Sequence, residues 1–219
     1  PDNIGLWDSL IITAPLYTHY FSVCLFLTQK LNKMSRKTHY LPVAGWADEK
    51  LKRTEKVYDV VFAGHVTKKR IEYFKELFPF DFHLWGYPQW KQTALAAHYQ
   101  GQLTFDEVTE VYRKSKIVLN VATGNEDDPI SIANLRNFEA TGVGTFVLSS
   151  HNKATVQLFK PNKEMVFFET KEEMLKKLRY YLSHERIREG IAHAGWQKTK
   201  KVHTYTSRMK ELFLTVEKS

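Results

Sequence analysis

The chain has 219 residues, enough for one well-cored domain, or for one domain and a piece of another. Its 43% hydrophobic and 26% charged residues have the balance of a soluble globular fold, which excludes a disordered chain. The net charge of +8 is carried by dispersed lysines, and the densest clusters, Lys68-Lys-Arg70 and Lys198-Thr-Lys-Lys201, are short. With no recognition motif beside them, they describe a solvated surface rather than a nucleic-acid footprint, and they also suit an anionic small ligand. The single cysteine, Cys24, excludes an intramolecular disulfide and a cysteine-rich zinc site, and its apolar neighbours make it a core thiol. The apolar run 21–27 is too short to span a bilayer and no signal peptide is visible, so the default location is cytoplasmic. Association with a membrane surface is compatible with that reading.

In chain order, residues 8–14 read as a strand ending before Pro15 and residues 16–31 as an apolar helix. Residues 40–44 then lead into a different pattern. From residue 57 onward strands and helices alternate, as a parallel α/β sheet requires. Residues 57–63 form the first strand, Gly64 a turn and residues 69–78 a helix. Residues 80–86 form the second strand, followed by an irregular stretch rich in Trp, Tyr and Gln. Residues 104–115 form a helix whose Thr104 and Glu107 match a capping box. Residues 117–121 form the third strand and 123–130 a polar loop.

The next stretch, Asn134-Leu-Arg-Asn-Phe-Glu-Ala-Thr-Gly-Val-Gly-Thr-Phe-Val-Leu-Ser-Ser150, reads as a helix, a glycine stop and a buried strand. Ser131 is the expected N-cap of a helix over 132–141, and Gly142 the left-handed residue that ends it. Residues 144–148 are the strand. A short helix over 152–159, a strand over 165–168 and helices over 171–183, 185–201 and 205–217 finish the chain. There is no internal repeat or long linker.

The block Phe138-Glu-Ala-Thr-Gly-Val-Gly-Thr-Phe-Val-Leu148 resembles the signature of the C-terminal, donor-binding domain of GT-B glycosyltransferases. It is most similar to the spore-maturation (CgeB-type) branch of the group 1 transferases. Asp59-Val-Val-Phe-Ala-Gly64, Ser115-Lys-Ile-Val-Leu-Asn120, Leu158-Phe159, Tyr180-Tyr-Leu-Ser-His184 and His203-Thr-Tyr-Thr-Ser-Arg208 resemble further blocks of that domain in the same order. The resemblance implies a Rossmann-like parallel sheet with helices on both faces, one half of a GT-B fold, with extra C-terminal helices. Residues 46–219 would be this domain. Residues 1–45 would be a strand, a helix and a crossover belonging to a missing N-terminal domain.

The same resemblance implies a function: transfer of a sugar from a nucleotide-diphosphate donor to a glycan, lipid or protein acceptor. Retention of configuration and independence from metal or any other cofactor would follow. The isolated fragment would then transfer little sugar. Glu139 matches the second glutamate of the family's E-x7-E pattern, which accepts hydrogen bonds from the donor ribose. Asn134 and Arg136 match the family's Asn-x-Arg and would touch the diphosphate or sugar. Gly64 lies at the first turn, with His65 and Arg70 near the donor phosphates.

Local spacing offers plainer alternatives: an Arg136/Glu139 ion pair at i,i+3, a solvated Arg70 on a helix face, and an incidental His65. His203 and Arg208 fit better as anchors of the last helix than as ligands. Trp85, Tyr87 and Trp90 suit either stacking on a ligand or core packing. The chain departs from the family at Ser131, which stands where the first glutamate of E-x7-E belongs, with Glu126, Asp127 and Asp128 as the nearest substitutes. Two rival readings are a metal-dependent GT-A transferase using those three acids, and a non-catalytic nucleotide- or protein-binding module.

Overall fold

The computed structural model describes residues 12–13, 16–34, 37–52, 54–122 and 132–218. Its first elements are β1 (Tyr20–Ser22), α1 (Leu25–Lys33) and β2 (Thr38–Tyr40), and the two strands pair in parallel as a sheet of their own. The helix expected over 16–31 is therefore a short strand followed by a later helix. A short apolar run carries no period that separates the two, and here capping chemistry decides. Ser22 Oγ accepts from Cys24 N at 3.1 Å and Cys24 Sγ from Leu27 N at 3.5 Å, so helical bonding starts only at Leu25. Cys24 is buried and forms no disulfide.

The main sheet follows: β3 (Tyr58–Ala63), β4 (Phe82–Trp85), β5 (Tyr99–Gly101), β6 (Ser115–Asn120), β7 (Phe146–Ser150) and β8 (Val166–Phe168). Its spatial order is β5-β4-β3-β6-β7-β8 and each neighbouring pair is parallel. Strand β5, inside the stretch read as irregular, is short, lies at the sheet edge and joins through a bulge.

Both faces of the sheet are apolar, as helices on two sides demand. Val60, Phe62, Leu84, Ile117, Leu119 and Leu148 face one core; Val61, Trp85, Val118, Val147 and Phe167 face the other. The first is covered by α2 (Lys68–Phe74), α6 (Lys171–Ser183) and α7 (Glu185–Val202); the second by α3 (Phe105–Arg113), α4 (Leu135–Gly142) and α5 (Lys153–Leu158). Helix α3 carries its capping box in full, with Thr104 N donating to Glu107 Oε2 at 2.7 Å. Helix α8 (Tyr205–Glu217) closes the chain, capped by Thr204.

Helix α4 starts three residues later than its apolar pattern predicts. Asn134 occupies the N-cap position, without a side-chain capping bond, rather than the first turn. Ser131 and the loop 123–130 lie outside the described residues. At the other end the left-handed residue is Gly144, with φ 74°, not Gly142. Gly142 is small for another reason: a Cβ there would stand 1.9 Å from Trp46 O, because residues 45–51 run hard against this helix. Asp48 N donates to Gly142 O at 3.0 Å and the Asp48 carboxylate pairs with Arg113 at 2.8 Å.

This strand order places a switch point between β3 and β6, because the chain winds outward from each in opposite directions. In an open parallel sheet, ligands bind outside the carboxyl ends of the strands at that point.

Candidate functional site

Strand β3 ends at Ala63 and turns at Gly64, where a Cβ would lie 2.5 Å from Arg136 Nη2. Glycine is needed there because a guanidinium from α4 occupies the space. Arg136 Nε donates to Ala63 O at 3.1 Å, Nη2 donates to the same oxygen, and Nη1 reaches Asn120 Oδ1 at 2.6 Å. Its carbon Cζ sits 4.1 Å from the centroid of the Phe62 ring. Arg70, from α2, approaches the same ring at 4.9 Å and donates to Val121 O at 3.0 Å and His65 O at 2.7 Å.

The two guanidiniums are buried, and among the described residues they bond to carbonyl and amide oxygens rather than carboxylates. Burial, together with the charge of Arg136, lowers the Arg70 pKa to about 9, which leaves it cationic at neutral pH. His65, at the surface of the turn, is held below the usual histidine range by desolvation and by both arginines. Neither guanidinium is hydrogen-bonded to a carboxylate among the described residues, so the pair leaves a positive field that an anion entering the crevice would relieve.

Glu139 stands one helical turn after Arg136 but looks elsewhere. Its carboxyl lines a cavity of about 590 Å³ with Gly64, Trp85, Tyr87, Leu103 and Tyr112. A second cavity of about 350 Å³ adjoins it across Glu139 and Phe105. Burial raises the Glu139 pKa above the ordinary glutamate value, while the charge of Arg136 opposes that shift, and no hydrogen bond contributes. The expected i,i+3 ion pair is not formed, because Arg136 spends its donors on Ala63 and Asn120. The Tyr112 hydroxyl, fully buried, is pushed up to about 12 by desolvation and drawn back by Arg136. An uncommitted carboxylate in a ligand-sized cavity, beside unneutralised cations, can take hydroxyls and anionic oxygens together.

The glycosyl transferase-like family matches residues 66–213. This chain belongs to that glycosyl transferase-like family. Among solved structures, Alr3699/HepE of Anabaena in complex with UDP-glucose has a TM-score of 0.76 at 9% identity, covering 100% of this chain and 69% of that one. The glycosyltransferase of Rickettsia africae ESF-5 has 0.71 at 13%, covering 100% and 67%. TarM, a Staphylococcus aureus protein, has 0.69 at 13%, covering 94% of this chain and 45% of that one. At these identities the likeness is one of fold, a Rossmann-like half of the GT-B type. The chain spans about half the length of the GtfA/B and TarM structures, 48% and 45%. No curated protein matches the sequence.

In this glycosyl transferase-like chain, Gly64 and Glu139 line the cavity; Arg136 packs against Gly64 and meets Asn134 at Asn120 Oδ1, while Arg70 is buried and His65 is exposed. Asn134 Nδ2 donates to Asn120 Oδ1 at 2.9 Å, and its own Oδ1 is buried with no partner among the described residues. Ser131, Glu126, Asp127 and Asp128 lie outside the described residues. Trp90 is core: fully buried, it packs on Phe62 and Phe74 and donates to Gly64 O at 2.8 Å. Trp85 and Tyr87 line the cavity. Arg208 anchors α8 by donating to Pro42 O at 2.9 Å and to His203 Nδ1 at 2.7 Å.

Sequence reasoning passed over Asn120 and Tyr112. The signal for Asn120 was present, an amide ending an otherwise apolar strand; Tyr112 carried none, since an aromatic on a helix is ordinarily core. Among the described residues no group of three His, Cys, Asp or Glu is arranged to hold a metal, and no helix is long and apolar enough to cross a membrane.

Proposed function

We propose that this chain is the donor-binding half of a GT-B glycosyltransferase of the spore-maturation branch, taking a nucleoside-diphosphate sugar as donor. The ribose hydroxyls donate to Glu139. The diphosphate lies between Gly64 and the start of α4, facing Arg136 and the amides of the first turn, where the helix dipole adds to the attraction. Transfer breaks the bond between the anomeric carbon and the diphosphate oxygen, and the electron pair leaves with the diphosphate. Cations and oriented amides at that oxygen stabilise the departing charge without a metal. The acceptor, a glycan, lipid or protein hydroxyl, is brought by the rest of the protein, and configuration at the sugar is retained.

The observation that carries this reading is Glu139: a half-buried carboxylate, raised in pKa, with no hydrogen bond among the described residues, facing a cavity at the carboxyl ends of β3 and β4. Calorimetry and thermal shift with UDP, GDP, ADP, CMP and dTDP, in EDTA and in manganese, provide the test. A ligand at about 100 times its dissociation constant stabilises the fold by about 2.7 kcal/mol. Stabilisation by one nucleotide in EDTA, lost in Glu139→Ala, is expected. Stabilisation that requires manganese would refute metal independence, and none at all would leave a Rossmann-like module without a donor site.

A further inference from the structure

Asn120 ends β6 beside the switch point of the sheet, 2% exposed, and uses its hydrogen-bonding capacity in four directions. Its Oδ1 accepts from Arg136 Nη1 at 2.6 Å and Asn134 Nδ2 at 2.9 Å. Its Nδ2 donates to Asn137 Oδ1 at 3.0 Å and Ser149 Oγ at 2.9 Å. The orientation of the amide follows from chemistry: a guanidinium only donates, so the atom facing Arg136 must be the oxygen. Asn137 continues the network to Thr155 Oγ1 at 3.4 Å, so β6, β7, α4 and α5 are joined through this one side chain.

We propose that Asn120 is a positioning residue that holds Arg136 and Asn134 at the crevice through a neutral acceptor, leaving the guanidinium charge available to an anionic ligand. The inference rests on the donor-site reading above and names what sets the charge of that site. Ala63 O and Asn120 Oδ1 hold Arg136 through hydrogen bonds, yet neither carries a charge that neutralises it. An aspartate at position 120 would offer an oxygen of the same shape at the same distance. It would convert the contact into an ion pair and spend the charge inside the protein. The amide also supplies two donors to Asn137 and Ser149 that a carboxylate lacks. The choice of amide over acid thus serves the architecture below and the field above.

The test compares a nucleoside diphosphate with its nucleoside on the 219-residue chain. UDP, GDP, ADP and dTDP are titrated against the wild type, and the one that binds is taken forward with its nucleoside. In Asn120→Asp the diphosphate is expected to bind at least about tenfold more weakly while nucleoside affinity holds, since only the phosphates feel the lost charge. Asn120→Ser adds no charge but cannot reach Arg136. There a smaller, about threefold, loss confined to the diphosphate is expected, and this variant decides the matter if the aspartate does not fold. Parallel loss of diphosphate and nucleoside in both variants, or no loss in either, would overturn the proposal while leaving the donor site intact. Absence of binding by any diphosphate to the wild type would overturn the donor site and this inference together.

Discussion

Replacing Glu139 by glutamine should separate binding from stability. The Glu139 carboxylate is half-buried beside the cavity and accepts no hydrogen bond among the described residues, so its ionised form is partly desolvated with only the charge of Arg136 to offset it. Its folded pKa is raised above the unfolded value. The contribution of the protonated form to stability is therefore fully present at low pH and is lost as pH rises through the folded pKa. Above the folded pKa the wild type bears the full cost, and Glu139→Gln should there be more stable by about 0.5–2 kcal/mol, the common size of a single stabilising substitution. That gain should shrink as pH falls through the folded pKa and the wild-type carboxyl takes up its proton. Binding should move the other way. Losing one charge-assisted bond from a ligand hydroxyl removes about 1.5–3 kcal/mol, about 10- to 150-fold in dissociation constant. Urea denaturation at pH 7 and pH 4, with calorimetric titration of the preferred nucleotide, reads both quantities. A variant that is less stable at pH 7, or that binds as tightly as the wild type, would refute the reasoning.

Two further outcomes follow from the geometry. Gly64→Ala places a methyl 2.5 Å from Arg136 Nη2 and 3.0 Å from Phe62 Cζ, so the guanidinium must leave Ala63 O; a stability loss of about 1–3 kcal/mol with weakened diphosphate binding is expected on denaturation and titration. His203, whose pKa burial lowers to about 4 from 6.5, stays neutral in the fold while the unfolded chain takes up a proton. Stability should thus fall as pH drops from 6.5 towards 4, by up to about 3 kcal/mol, and His203→Gln should flatten that part of the profile.

Much of this fold was legible because both faces of the sheet are covered. Runs such as Val60-Val-Phe62 and Ile117-Val-Leu119 are apolar without alternation, and helices α3, α6 and α8 carry their caps in Thr104, Thr170 and Thr204. What was not legible depends on contacts distant in sequence. Gly142 looked like a helix stop, but its size answers to Trp46, and the turn itself falls to Gly144. Residues 20–22 look helical within their apolar run and become a strand because Thr38–Tyr40 pairs with them. Glu139 was singled out through resemblance, whereas the Asn120 amide matters only because α4 delivers an arginine and an asparagine to it.

The segment joining β2 to β3 and the junction of the last two helices meet at one place. Gly45 forms a parallel bridge with Thr204 and donates to His203 O at 3.0 Å, while Arg208 reaches back to Pro42 O at 2.9 Å. The chain therefore passes into the α/β body and out towards α8 through adjacent points, stitched side by side. Both crossings thus share one set of bonds, and Arg208, which also donates to Val202 O at 2.8 Å, is the side chain common to the entry and the exit.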